Sequence, residues 1–343
     1  GGCTKTQFLL TRAGFSSISG PIRFHMESQD SLGTFRPRTY GVEIVLRRRY
    51  QLGDASPELN RAGAILETFR TRSIAWIAFF MATVVSVLVS TPAHGITYGE
   101  EVTNARFTHP WVASVWEKDD SDGLYYQVCS GSLISSDVVL TAAHCVLDAR
   151  VDYAVQVKAD TLMLDGELIE AKAVWSSPRY DDKAIQNDVG LILLSEPVLD
   201  VVPARMATRS QSRIVDSLTR FTLYGWGRDQ NNTSAEFLRM TQVKKQTAAA
   251  LRAFSAKQFN EKTTIAAGRL LVSERVYSGA CKGDSGGPLV ARIRGVETIV
   301  GITSYGAESC RAKVPSVFSK VSYYERDIRE GERVLRARAA LTN

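Results

Sequence analysis

From residue 96 onward the sequence breaks into many short runs rich in Val, Ile, Tyr and Trp, and this texture limits the fold more than any other feature. The runs fall at 112–116, 132–134, 138–144, 153–158, 168–174, 191–194, 221–226, 288–291, 298–305 and 317–321, with Gly, Asp, Asn and Ser between them. Tyr153-Ala154-Val155-Gln156-Val157-Lys158 alternates as a half-buried strand does. Short strands punctuated by turn residues predict an all-β domain, a sandwich or a barrel. Two stretches read as helical instead: 246–260, and a charged one at 321–338. The hydrophobic share of 44% suffices for a sizeable core.

Residues 1–69 carry no clear period and read as an unstructured leader or as translated sequence upstream of the true start, with a small extra domain as the alternative. Residues 70–95 read as a signal peptide. Arg70 and Arg72 precede an uncharged run from Ile74 to Val89, about 16 residues, which suits a secretory h-region and is short for a membrane span. Ala93 and Gly95 then stand at the −3 and −1 positions of a small-residue cleavage site, so cleavage makes Ile96 the new N-terminus. A retained signal anchor is the competing reading. The formal charge of +6 sits mostly in the leader: residues 1–95 hold 11 Lys+Arg against 6 Asp+Glu, leaving +1 for 96–343. So nearly neutral a domain argues against nucleic acid as a partner.

Four cysteines follow the signal, Cys129, Cys145, Cys281 and Cys310, and one, Cys3, lies far upstream. Four allow three pairings, which spacing does not decide, and an even set behind a signal suggests an oxidising compartment.

Three motifs carry chemistry. Cys281-Lys282-Gly283-Asp284-Ser285-Gly286-Gly287-Pro288 reads as a nucleophile on a tight turn. A serine hydroxyl needs a neighbouring base, and backbone N–H groups of such a turn can hold a developing oxyanion. Gly283 and Gly286 let the chain approach a substrate with no Cβ in the way. Leu140-Thr141-Ala142-Ala143-His144-Cys145 closes a β-like run and offers the base; His109, beside Pro110 and Trp111, reads as structural. Asn187-Asp188-Val189-Gly190 opens an aliphatic run that would draw Asp188 inside, where a carboxylate needs donors and a histidine N–H is a natural one.

With these motifs, in the order His144, Asp188, Ser285 and separated by 44 and 97 residues, the chain from Ile96 to about Val334 resembles the chymotrypsin/trypsin family of serine proteases. The resemblance implies a double antiparallel β-barrel with a C-terminal helix and a catalytic cleft between the barrels. It implies peptide-bond hydrolysis of protein or peptide substrates through a Ser285–His144–Asp188 triad and an acyl-enzyme. It makes the N–H groups of Gly283 and Ser285 the oxyanion hole, and pairs a free Ile96 ammonium with Asp284. It pairs Cys129 with Cys145 and Cys281 with Cys310, leaving Cys3 over. Ser304-Tyr305-Gly306 resembles the strand that binds substrate backbone, and Tyr224-Gly225-Trp226-Gly227 resembles the family's Gly-Trp-Gly segment.

The family's basic-residue specificity comes from an Asp six residues before the nucleophile; here that position is Gly279, with Gly306 and Ser316 as pocket walls. A neutral pocket for apolar or medium-sized side chains is expected, with Glu308 and Lys282 as opposed rim charges. No cofactor or metal is expected: Asp181, Asp182 and Asp188 lack a ligand-loop pattern, and 160–171 is short for a calcium loop. Asn231-Asn232-Thr233-Ser234 holds overlapping glycosylation sequons, or is simply a polar loop. The expected protein is secreted, monomeric and free of membranes once the signal is cut. It needs no zymogen stage, because the signal runs directly into Ile96, a junction that points to a bacterial source. A catalytically silent binding module is the alternative from another class.

Overall fold

The computed structural model describes residues 96–341, apart from Met163, 252–258, Glu274, Glu308 and Ala312. The leader and signal segments of the sequence, 1–69 and 70–95, lie outside the described residues.

The chain opens with β1 (Glu100–Glu101) and a short helix, α1 (Ala105–Thr108). Six strands then close the first barrel: β2 (Val112–Lys118), β3 (Tyr125–Ser135), β4 (Val138–Thr141), β5 (Tyr153–Val157), β6 (Glu167–Ser176) and β7 (Gly190–Leu194). Their order around the barrel is β2-β3-β4-β7-β6-β5, every pair antiparallel, with β2 joined back to β5.

A connection holding β8 (Arg205–Met206) and the helix α2 (Ser212–Ser217) leads to the second half. There β9 (Arg220–Gly225), β10 (Arg239–Lys245), β11 (Thr264–Leu271), β12 (Val276–Ser278), β13 (Pro288–Ile293), β14 (Val296–Tyr305) and β15 (Ser316–Lys320) follow. The order β10-β9-β13-β14-β15-β11, closed by pairing of β10 with β11, makes a second six-stranded antiparallel barrel. β1 and β12 extend its rim, on β10 and β11.

Closure removes the exposed strand edges that a sheet must otherwise protect. The fully buried strands β4, β5 and β7 run apolar almost without a break, whereas β15, equally buried, places Ser316, Ser319 and Lys320 around Val317 and Phe318. Leu133, Leu140, Leu191, Ile192, Leu223, Val300 and Phe318 are each about 1% exposed or less. Trimming one such leucine to alanine costs about 2–5 kcal/mol.

The last element, α3 (Val321–Leu341), leaves the second barrel and runs over β6 and β7 of the first. Val321, Tyr324, Ile328, Gly331, Leu335 and Ala339 form its buried stripe, at the spacing one helix face requires. Outside the stripe, Glu325–Arg329 and Glu332–Arg336 pair one turn apart, and Arg336 grips Asp137 on the first barrel through both nitrogens, at 2.6 and 2.7 Å. Gly331 packs on Trp175, whose ring a Cβ would approach to 2.7 Å.

The helix expected at 246–260 does not start at Gln246, and residues 252–258 of that stretch lie outside the described residues. Gln246 N–H donates to Ala266 O, so its backbone is still bound to a strand, and of the rest only a 3-10 turn at Ala248–Leu251 is described. The alanines there resemble a helix in composition, but the backbone of the preceding residues is already taken. β10, β11 and β12 did not stand out in the sequence: Lys, Arg, Gln and Thr fill most of β10, small Ala and Gly residues fill the middle of β11, and β12 is only three residues long.

Candidate active site

The loop after β4 carries His144. Ala142 and Ala143 are fully buried, and small residues let the chain turn tightly into the 3-10 segment Ala143–Cys145. The disulfide Cys129–Cys145, with Cα atoms 6.2 Å apart, pins this loop to β3. The second expected bridge, Cys281–Cys310, also forms.

Asp188 lies at the mouth of β7 and is completely buried. Asn187 before it takes a left-handed φ of 56°, which asparagine tolerates better than most residues, and its amide donates to Arg179 O at 2.8 Å. The Asp188 carboxylate is surrounded by donors. Oδ1 accepts His144 N–H at 3.0 Å, Oδ2 lies 2.8 Å from His144 Nδ1, and Ser304 Oγ donates to Oδ2 at 2.5 Å. Ser319 Oγ donates to the Asp188 carbonyl at 2.9 Å. The donors match the acceptor oxygens of this buried carboxylate, and accepting from Nδ1–H leaves Nε2 as the acceptor nitrogen of the imidazole. The His144 side chain keeps 27% exposure, so that nitrogen is not sealed off.

The serine turn packs against the histidine loop. Ser130 N–H donates to Ser285 O at 2.7 Å, and Ser130 adjoins the bridged Cys129. Gly286, at φ 79°, lies so close to Thr141 Oγ1 and Ser130 O that a Cβ would collide with both. Ser285 itself is half-buried. Within the turn Asp284 N–H donates to Cys281 O, Gly286 N–H to Thr303 O and Gly287 N–H to Asp284 O. Among the described residues the N–H groups of Gly283 and Ser285 have no acceptor in that set, which leaves two adjacent donors for a ligand.

Asp284 is fully buried between the glycines of the Gly225-Trp226-Gly227 segment; a Cβ on either would collide with its carboxylate. It accepts Gly227 N–H and Cys281 N–H, both at 2.8 Å, and burial pushes its pKa up from 3.8 to about 7. Ile96 is likewise fully buried. Next to it, Thr97 N–H donates to Gly279 O at 3.0 Å, Gly279 N–H donates to Thr97 Oγ1 at 2.9 Å, and Ser278 Oγ donates to Thr97 O at 2.8 Å. The chain at Ile96 is thus tied to the expected pocket base.

The pocket residues come together. A Cβ on Gly279 would stand 2.9 Å from Ser316 Oγ, and one on Gly306 would stand 3.7 Å from it. Ala280 N–H donates to that same hydroxyl at 3.1 Å. Tyr305 is mostly buried on β14, packed with Leu251, Ala266 and Val317. Lys282 is exposed, and Glu308 lies outside the described residues. His109 stacks on Tyr224 at 4.6 Å, and burial lowers its pKa, in keeping with a structural role. Cys129, His144 and Cys145 gather as metal-type donors, but both sulfurs are tied in the disulfide. In the segment read as too short for calcium, Asp165 accepts the N–H groups of Asp160 and Thr161, and Arg106 lies 3.6–3.8 Å from Asp165 and Asp160.

The hydroxyl of Ser304 is a partner that sequence reasoning placed elsewhere, on substrate backbone; Ser319, Ser130 and Gln127 were not singled out at all. Each lies on a strand and meets its partner across the contact between the two barrels.

Two six-stranded antiparallel barrels with a C-terminal helix define a chymotrypsin-like protein. The family model for trypsin matches residues 96–328. A vitellin-degrading protease of Bombyx mori is 31% identical over 198 residues, covering 57% of this chain and 72% of that protein. A trypsin of Sarcophaga bullata is 31% identical over 195 residues, covering 56% and 74%. Tissue-type plasminogen activator of Bos taurus is 28% identical over 244 residues, covering 66% of this chain and 43% of the relative. The chain belongs to the trypsin family and is a serine endopeptidase acting on protein substrates. These relatives come from insects and a mammal and give no support to the bacterial source expected from the signal junction.

Proposed function

We propose that the protein is a secreted endopeptidase in which Ser285, His144 and Asp188 form the catalytic triad. The observation that carries this reading is Asp188, buried and bound to His144 through both carboxylate oxygens. In this mechanism Ser285 Oγ attacks the scissile carbonyl while His144 Nε2 takes its proton. The N–H groups of Gly283 and Ser285 stabilise the oxyanion, and His144 then protonates the departing amine. Water enters by the same route and releases the acyl group from Ser285. Asp188 keeps the imidazole in its tautomer and stabilises the cation formed in transit.

Activation follows from Ile96. Cleavage after Gly95 frees an ammonium that pairs with Asp284, a buried carboxylate whose elevated pKa marks an environment short of positive charge. Ile96 holds φ 45°, a strained value for a β-branched residue that follows a carbonyl, and cutting that peptide relieves it. Signal peptidase makes this cut in our reading, with no separate zymogen stage. Gly279, Gly306 and Ser316 form an uncharged primary pocket, and Ser304, Tyr305 and Gly306 present the backbone edge to substrate. The domain acts as a monomer without nucleic acid or membrane; among the described residues no helix is long and apolar enough to cross a membrane.

The test is hydrolysis of an unfolded protein substrate by chain beginning at Ile96, beside its Ser285→Ala variant. The reading expects hydrolysis by wild type alone. Equal hydrolysis by both, or by neither, refutes it.

A further inference from the structure

The two proposed oxyanion donors, Gly283 N–H and Ser285 N–H, sit on either side of one peptide unit, the amide between Gly283 and Asp284. That amide is gripped at both ends. Its carbonyl, Gly283 O, accepts Ser130 Oγ at 2.9 Å and Gln127 Nε2 at 3.0 Å. Its N–H, on Asp284, donates to Cys281 O at 3.1 Å. The flanking N–H groups project from the two Cα atoms that this amide joins, so an amide held at both ends fixes where those Cα atoms, and the donors they carry, sit.

Ser130 is fully buried on β3, and its hydroxyl has little choice of direction. It accepts Trp226 N–H at 3.1 Å, and its one proton goes to Gly283 O. Its backbone N–H goes to Ser285 O at 2.7 Å. One residue of the first barrel therefore holds the turn on both sides of Asp284: by side chain to residue 283 and by main chain to residue 285. Gln127 is anchored separately, through Cys129 O at 2.8 Å. Gly283 has φ 89°, in a region where glycine meets little resistance, so the turn has weak conformational preference of its own there. A turned-over amide would leave the Ser130 proton without an acceptor in a closed site, which is costly.

We propose that Ser130, seconded by Gln127, is a positioning residue for the oxyanion hole. It fixes the Gly283–Asp284 amide so that both donor N–H groups face the cleft before substrate arrives. The inference rests on Ser285 being the nucleophile, and it adds a second anchor to the turn, independent of the Ile96–Asp284 pair.

The test uses chain beginning at Ile96 and compares wild type, Ser130→Ala, Gln127→Leu and Ser114→Ala. Ser114 is a control: the buried serine paired with Ser130 across the β2–β3 ladder, whose hydroxyl accepts Trp116 Nε1–H at 2.8 Å and donates to Gln156 Oε1 at 3.3 Å rather than to the turn. Each variant is measured for kcat and KM on a peptide amide. Each is also titrated with a peptide aldehyde, which forms a tetrahedral adduct, and with the matching peptide alcohol, which does not. Ser130→Ala is expected to lose about tenfold or more in kcat and in aldehyde affinity, a fraction of the loss seen when an oxyanion donor is removed outright. Its KM and alcohol affinity should stay within about twofold, as loss of an interaction made in the transition state requires. Gln127→Leu should show a smaller loss of the same kind and carries the test should Ser130→Ala fail to fold; Ser114→Ala should show neither. Unchanged kcat and aldehyde affinity, or equal loss of aldehyde and alcohol binding, overturns the proposal. A wild type that neither hydrolyses the amide nor binds the aldehyde overturns the assignment of Ser285 itself, and the proposal with it.

Discussion

The buried Asp284 makes the stability of this domain depend on pH in a way that cleavage before Ile96 should reverse. With Ile96 in peptide linkage, two backbone N–H groups at 2.8 Å are the hydrogen bonds to the carboxylate, and burial pushes its pKa from 3.8 to about 7. That difference corresponds to roughly 4 kcal/mol. A carboxyl whose folded pKa lies above its unfolded value favours the folded state in full below about pH 4, and that favour is lost as pH rises through 7. A free Ile96 ammonium gives the carboxylate a partner, so in the cleaved form the loss should vanish. On a Ser285→Ala background, which prevents self-digestion, urea unfolding would be measured at pH 4, 6 and 8. Three forms are compared: chain beginning at Ile96, chain extended upstream, and the extended chain with Asp284→Asn. The extended form should fall behind the cleaved one by up to about 4 kcal/mol at pH 8, with the gap closing towards pH 4. The Asn variant should remove the pH-dependent part. A gap that is the same at all three pH values, or one unaffected by Asp284→Asn, would refute the reasoning.

Gly279→Asp should convert the neutral pocket to one preferring Lys or Arg, because its Cβ meets only the turnable Ser316 hydroxyl at 2.9 Å; peptide-library profiling should show a gain of about tenfold or more in that preference, and no gain would contradict the pocket assignment. Asp188→Asn should leave the fold intact and lower kcat by about four orders of magnitude, the loss known for this change in the family, while a drop below tenfold would contradict the triad. Gly331→Ala sets two effects against each other: about 1 kcal/mol gained in helix propensity, and about 1–3 kcal/mol lost to a methyl pressed within 2.7 Å of Trp175. Melting should show net destabilisation; a higher melting temperature would mean that the contact relaxes freely.

The motifs from which the proposed triad is drawn were legible because each is local. A nucleophile turn, a histidine among alanines and an aspartate opening an aliphatic run can all be read from a few neighbours. So could the C-terminal helix, as a charged helical stretch, and the first-barrel strands, from their runs of Val, Ile, Tyr and Trp. What escaped was nonlocal. Ser304, Ser130 and Gln127 acquire their partners 116, 153 and 156 residues away along the chain. The polar strand β10 hides its buried face among lysines, an arginine and a glutamine, and β11 hides its own in a run of small residues. The start of the segment 246–260 misled in the opposite sense, since its alanines favour helix while Gln246 is bound to β11.

The most direct test is labelling of the secreted protein, beginning at Ile96, with a fluorophosphonate, which acts on a serine only when a neighbouring base activates it. The account predicts stoichiometric modification located on Ser285, absent from Ser285→Ala and strongly reduced in His144→Ala. An unlabelled wild type, or a label on another serine, would contradict it.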